Sequence, residues 1–256
     1  MSERLITKPT AYDIIFVLAF YASLAYGLVC LSLPWIPIVL ECLVSILLFF
    51  YYLLLRKTSE RPPHEGRVYR KVFHMIGGGS LAVFLKLYSS ALVLYLVFSL
   101  LILFCLYEAL RWYILRRPLF ISTVLLFFGD QEESQGGPFY EALIGLGAVL
   151  LTVLFFQKEA ALCGLIALSL GDGVSGLVGE RVRTSTLPFS ERKTIGGFLA
   201  GVIVSSFAVL VAVGNVQALA AVLGGMLVET VSGKFDNFSV PISTALFYSA
   251  LSLLLP

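Results

Sequence analysis

The chain has 256 residues, of which 59% are hydrophobic and 13% charged, with a formal net charge of +2. A mean hydropathy of +0.94 excludes a soluble core with a wetted surface. The small net charge says little about partners, and no nucleic-acid partner is expected.

The apolar residues fall in runs of about 15 to 20, close to the length that crosses roughly 30 Å of hydrocarbon as helix. The fold expected is all-α, a polytopic transmembrane helical bundle. Nine spans are predicted: Ile14–Leu33, Ile36–Leu55, Val72–Leu87, Ser90–Tyr107, Phe139–Phe156, Ala160–Val178, Ile195–Val213, Gln217–Val231 and Phe238–Leu255. Leu119–Phe128 is too short to span, and its polar flanks, Arg116-Arg117 and Asp130 to Glu133, make it an interfacial or re-entrant helix. With a cytoplasmic N-terminus, this topology leaves only Lys86 and Lys158, of 18 Lys and Arg, on the far side. That bias orients the protein with its polar segments toward the cytoplasm.

Basic residues such as Arg56, Lys57, Arg61, Arg116 and Arg117 read first as topology anchors. Cys30, Cys42, Cys105 and Cys163 all lie in apolar spans without metal-ligand spacing and read as packing residues. No cleavable signal or transit peptide is expected. No stretch outside the spans is large enough to fold alone, so residues 1–256 form a single integral membrane domain.

The polar constellations follow in chain order. Arg70 and Lys71 stand at i, i+4 and i, i+3 from His74, so one helix face carries two cations and an imidazole at the membrane boundary. His74 there relays a proton, binds a phosphate oxygen or is merely hydrogen-bonded. Glu108 and Arg111 close the fourth span and are equally an interfacial ion pair or part of a site. Asp130 to Gly137 is a polar loop, while Asp13 and Glu41 lie near span ends and mark interfaces.

The densest signal is Gly171-Asp172-Gly173-Val-Ser-Gly176-Leu-Val-Gly179, at the end of an uncharged run. An Asp held in a membrane helix is a functional-site hypothesis by default. The string spells a dinucleotide fingerprint, but a membrane helix stands where that motif needs a strand. A P-loop is excluded because Leu177 and Val178 occupy the Lys and Ser/Thr places. Continued as helix, Asp172, Ser175, Gly176 and Gly179 share one face without bulk, fit for a nucleotide or for small-residue helix packing.

Arg192-Lys193-Thr194 precedes Gly196-Gly197. These cations can grip phosphate oxygens, with a helix starting at Thr194 adding orphan N–H groups, or serve as a basic flank. Finally, Glu229, Asp236 and Asn237 lie within nine residues before Pro241. They are hard oxygen ligands suited to Mg²⁺, or a capped solvated connection. Pro241 is placed in the first turn of the last span.

Taken in order, these motifs resemble the CTP-dependent polyprenol kinases, which comprise dolichol kinases, phytol kinases and CTP-dependent diacylglycerol kinases. The likeness runs from Arg70 to Pro241, the catalytic portion (70–241), and includes Glu108 with Arg111. One departure is Thr-Ile-Gly-Gly from Thr194 to Gly197, where many members carry an acidic or aromatic residue before the glycine. The resemblance implies transfer of the γ-phosphoryl group of CTP, with Mg²⁺, to the terminal hydroxyl of a membrane isoprenoid alcohol. It further implies that Asp172 and Asp236 hold Mg²⁺, with Glu229 and Asn237 assisting, and that Lys193 and Arg192 neutralise the β- and γ-phosphates. Either Asp172 or Asp236 accepts the alcohol proton instead. Arg70, Lys71, His74 and Thr194 would hold the nucleotide or the lipid phosphate, and Gly171, Gly173, Gly176 and Gly179 would make room for it.

The members most similar in pattern are prokaryotic or archaeal dolichol kinases, which places the chain in a plasma membrane, or the endoplasmic reticulum in a eukaryote. The other acceptors are phytol and diacylglycerol. Two rival readings are a CTP-dependent lipid cytidylyltransferase, which would release pyrophosphate rather than CDP, and a transporter. A transporter would place its charges near the bilayer midplane within inverted repeats. Oligomeric state is left open.

Overall fold

The computed structural model describes residues 10–43, 45–46, 63–115, 140–182, 184–188, 190 and 193–255, with backbone alone for 63–67, 69–70 and 73. The expected helix Leu119–Phe128, the loop Asp130 to Gly137, the anchors Arg56, Lys57, Arg61, Arg116 and Arg117, and Arg192 lie outside the described residues. Among the described residues the chain is helical, with no strand beyond one isolated bridge between Thr186 and Thr194.

The helices are α1 (Ala11–Val29), α2 (Pro63–Leu87), α3 (Ser90–Ala109), α4 (Tyr140–Phe155), α5 (Lys158–Ile166), α6 (Gly173–Arg181), α7 (Ile195–Ala212), α8 (Val216–Ser232) and α9 (Asp236–Leu254). Residues 35–43 are helical as well. A π turn, Leu110–Leu115, extends α3, a second, Ala167–Asp172, joins α5 to α6, and a 3-10 turn, Gly233–Phe235, joins α8 to α9.

Five stretches are long and apolar enough to cross a membrane: Ala11–Val29, Ser90–Leu115, Lys158–Arg181, Ile195–Ala212 and Val216–Leu254. The shorter apolar helices are His74–Leu87 and Tyr140–Phe155. The described residues thus supply five spans by this measure, against nine expected. Part of the difference is that Val216–Leu254 holds both α8 and α9, which fold back on each other across the Gly233–Phe235 turn so that Gly225 faces Thr244, and half of the expected span Ile36–Leu55 lies outside the described residues.

The chain divides into two compact units, one from Met1–Arg67 and Tyr95–Leu143, the other from Val68–Leu94 and Ile144–Pro256. In the first, Thr10 and Asp13 cap α1 reciprocally. Asp13, expected to mark the membrane boundary, is buried and accepts a 2.6 Å hydrogen bond from the Tyr107 hydroxyl. Phe16 meets the Tyr107 ring edge-on at 4.8 Å, a favoured aromatic geometry. Arg111 forms a two-pronged ion pair with Glu108, its Nε 2.7 Å from Glu108 Oε2. These two residues therefore satisfy each other.

The second unit is built around Lys158–Arg181, in which 72% of an 18-residue apolar window is buried, against 17 to 39% of the corresponding windows in the other four long stretches. Small residues let its neighbours approach. A Cβ on Gly201 would lie 2.6 Å from the Gly171 carbonyl oxygen, and one on Gly197 would lie 2.5 Å from that of Ser175. On the other flank, a Cβ on Gly164 would lie 2.5 Å from the Pro241 carbonyl oxygen.

Pro241 is not in the first turn of its helix as expected. Helix α9 starts at Asp236, so the proline falls in the helix interior, where it removes the N–H that would pair with the Asn237 carbonyl. At the other end of the unit, Lys158 Nζ donates to the Tyr88 carbonyl at 3.3 Å, just past the end of α2 that carries Lys86. The 17 residues from Lys71 to Tyr88 put roughly 25 Å of helix between that end and the polar cluster described next.

Candidate active site

The Ala167–Asp172 π turn interrupts the most enclosed helical stretch of the chain and delivers Asp172, whose side chain is 2% exposed. Such one-turn bulges recur at functional positions. A carboxylate so placed needs ionic partners, and two arrive from different elements. Lys71 on α2 places Nζ 2.6 Å from Asp172 Oδ2, and Lys193 places Nζ 3.3 Å from Oδ1.

Lys193 also pairs with Glu229 on α8 and stands 3.7 Å from Asp236 Oδ2 at the start of α9. One ammonium therefore joins three carboxylates that are as far apart as 64 positions in the chain. Burial alone would lower the affinity of Lys193 for its proton. The charges of Asp172, Glu229 and Asp236, with the hydrogen bond to Glu229, outweigh this and hold it above the ordinary value of 10.5. Lys193 is thus a permanent cation at neutral pH.

Its backbone is fixed by the connection from α6 to α7. Lys193 N donates to Ser190 Oγ at 3.2 Å and its carbonyl accepts from Leu187 N at 2.9 Å. Ser175 on α6, buried, donates its hydroxyl to Glu229 Oε1 at 3.1 Å. The sequence pattern puts Ser175 on the bulk-free face and does not mark it as a site residue. A hydroxyl four positions from Gly171 and Gly179 is its only sequence signal.

The glycines of the island serve two neighbours rather than one open face. Gly171 meets Met226, and Gly179 comes within contact of Thr194 and Gly197, so both lie toward α7 and α8. Gly173 and Gly176 lie toward α2, where a Cβ on Gly176 would fall 2.6 Å from Lys71 Cε. The 100° step of the helix splits positions 171, 175 and 179 from 173 and 176. All four glycines are closely covered by protein atoms, and Gly176 gives Lys71 its path to Asp172.

Thr194 is the N-cap of α7, accepting from Gly197 N at 3.2 Å. The orphan N–H groups expected at this end are taken within the chain: Ile195 N by the Ser185 carbonyl, Gly196 N by Thr184 Oγ1 and Phe198 N by the Thr194 carbonyl. A first turn so capped has no amides left over for a phosphate. His74, placed among the phosphate-binding candidates, has Nε2 3.1 Å from the Leu168 carbonyl oxygen. Asn237 donates its backbone N–H to Asp236 Oδ1 at 2.8 Å. Arg70 lies in α2 without a described side chain, and Arg192 is outside the described residues.

Among the described residues no three His, Cys, Asp or Glu side chains converge in a ready metal-binding group, and Lys193 occupies the centre of the carboxylates. The donor chemistry nevertheless suits a hard cation. With all groups ionised, Asp172, Glu229 and Asp236 outnumber Lys71 and Lys193 by one charge. Mg²⁺ bound to a nucleotide needs only one or two protein carboxylates besides phosphate and water. Asp236, 18% exposed, is the most accessible of the three.

Part of the chain is similar to two plant proteins. "Probable phytol kinase 3, chloroplastic" of Glycine max is 31% identical over 130 residues, which is 46% of this chain and 38% of that protein. "Probable phytol kinase 1, chloroplastic" of Glycine max is 32% identical over 89 residues, 34% of this chain and 27% of that protein. The chain therefore spans less than two fifths of either relative's length. No family profile matches the chain, and no solved structure matches it significantly.

Proposed function

We propose that this protein is a membrane lipid-alcohol kinase that moves the γ-phosphoryl group of CTP onto the terminal hydroxyl of an isoprenoid alcohol. The observation that carries the reading is the buried cluster of Asp172, Glu229, Asp236, Lys71 and Lys193, assembled from five parts of the second unit. The partial likeness to phytol kinases supports it, as does the motif order from Arg70 to Pro241.

Phosphoryl transfer asks little covalent chemistry of a protein. It needs positioned cations around the phosphates and a carboxylate near the attacking hydroxyl. Lys71 and Lys193 supply the fixed positive charge. Asp172, gripped by both ammonium groups, acts by holding them in place and is poorly suited to take a proton. Asp236, more open and with the Lys193 ammonium no nearer than 3.7 Å, is the better acceptor for the alcohol proton. In the reaction the bond from the γ-phosphorus to the CDP oxygen breaks, the bond to the alcohol oxygen forms, and the hydroxyl proton passes to Asp236. With Asp236 taking the proton, Mg²⁺ bound with the nucleotide would be held by Asp172, with Glu229 and Asn237 assisting, and would neutralise charge developing on the phosphate oxygens.

The acceptor is dolichol or a related polyprenol; phytol is the second reading, favoured by the names of the two similar plant proteins. The site faces the cytoplasm, on the side opposite Lys86 and Lys158. The test is purified protein in lipid with γ-labelled CTP, ATP, GTP or UTP against dolichol, phytol, geranylgeraniol and diacylglycerol. Label entering a prenyl phosphate from CTP is the expected result. No label in any lipid alcohol rejects the kinase, and release of pyrophosphate points to cytidylyl transfer.

A further inference from the structure

The π turn that delivers Asp172 is held from outside by one face of α2. Lys71, His74, Met75 and Gly78 stand at i, i+3, i+4 and i+7, a single stripe of that helix. Lys71 binds Asp172 at 2.6 Å. Met75 packs over Gly173, and Gly78 admits Ser169, whose Cβ would lie 2.8 Å from a Cβ at that position. Between them the His74 ring presents Nε2 to the Leu168 carbonyl oxygen at 3.1 Å.

A carbonyl only accepts, so Nε2 carries the hydrogen in this contact, and the lone pair of the neutral ring is on Nδ1. Leu168 lies within the π turn. Such turns are rare insertions in the helical ladder, and groups that bond their carbonyls help retain them.

We propose that His74 is a positioning residue: its Nε2–H holds the Leu168 carbonyl, fixes the π turn and so sets where Asp172 stands between Lys71 and Lys193. Its role is that of a hydrogen-bond donor, not of a proton relay or a phosphate ligand. The kinetic consequence rests on the kinase reading above, whereas the clamp itself does not.

Two variants separate these possibilities. His74→Gln places an amide N–H near the position of Nε2 but cannot titrate, and His74→Leu keeps the bulk without a donor. In the prenyl-alcohol assay His74→Leu is expected to lower kcat about 10- to 100-fold, the range for lost support of a site group, with KM for CTP little changed. His74→Gln is expected to recover most of that loss with the wild-type pH profile. Amide hydrogen exchange across residues 167–173 supplies a readout without turnover: faster exchange in His74→Leu, wild-type exchange in His74→Gln. The clamp is overturned if His74→Gln is as impaired as His74→Leu, if its pH profile moves, or if exchange is the same in all three proteins. Wild-type protein that transfers no phosphate while exchange follows the expected pattern rejects the kinase and leaves the clamp standing.

Discussion

Asp172 and Lys193 have opposite failure modes. Asp172→Asn removes the charge that organises both ammonium groups, and transfer is expected to fall on the order of 10²- to 10³-fold, as for loss of one preorganised electrostatic group. An Asp172→Asn enzyme within a few-fold of wild type would remove this residue from the site. Lys193→Met leaves three carboxylates facing one another and should destabilise the fold by about 3 to 5 kcal/mol, the usual result of stripping a buried ion pair of one partner. The pH dependence follows from the direction of the Lys193 shift. Its folded value is raised, so its stabilisation is fully present below the unfolded value and is lost as pH rises through the folded one. The wild-type advantage over Lys193→Met in chemical denaturation should therefore not shrink between about pH 7 and about pH 9, and it widens as the carboxylates left without the ammonium lose their protons. A gap that closes within that range would contradict the permanent cation.

Helix contacts separate two glycines that look alike in sequence. A Cβ on Gly201 meets the Gly171 carbonyl, which is backbone and cannot step aside. Gly201→Ala should lower stability by about 1 to 3 kcal/mol, as overpacked sites do, visible as a drop in melting temperature. A Cβ on Gly176 meets the end of the Lys71 side chain, which can swing away. Gly176→Ala should melt only slightly below wild type, since Asp172 keeps Lys193 as a partner, yet lose activity because Lys71 is shifted on Asp172. Equal melting losses in the two variants would show that Gly176 is a packing glycine like Gly201. The capped start of α7 belongs to the same scale. Its N-cap at Thr194 is readable from sequence, but the pairing of its amides depends on Thr184 and Ser185, which no local pattern connects to it.

For the whole molecule the testable quantity is sidedness. In a chain with its native cysteines replaced, Lys234→Cys, beside the site, should react with a membrane-impermeant maleimide from the cytoplasmic face. Lys86→Cys should react only from the opposite one. Both residues labelled from one face would reject the orientation drawn from the basic residues.

Sequence alone determined that the chain is helical and apolar enough to enter a membrane, because span length and hydropathy are local properties of each run. It also singled out Asp172, since a charge inside an apolar run costs too much to keep without use, and Lys193, Glu229 and Asp236 as phosphate-gripping or hard oxygen groups in the polar segments beside the spans. Only the tertiary structure decided how they combine. One ammonium meets three carboxylates because the π turn, α8, α9 and the segment before α7 converge, bringing Lys193 to partners 21 to 43 positions away, which no periodicity encodes. The π turn, the Ser175 bond to Glu229 and the His74 bond to Leu168 belong with it. Each depends on a partner from another helix, and the distance between helices is set by how closely their glycines let the backbones pack.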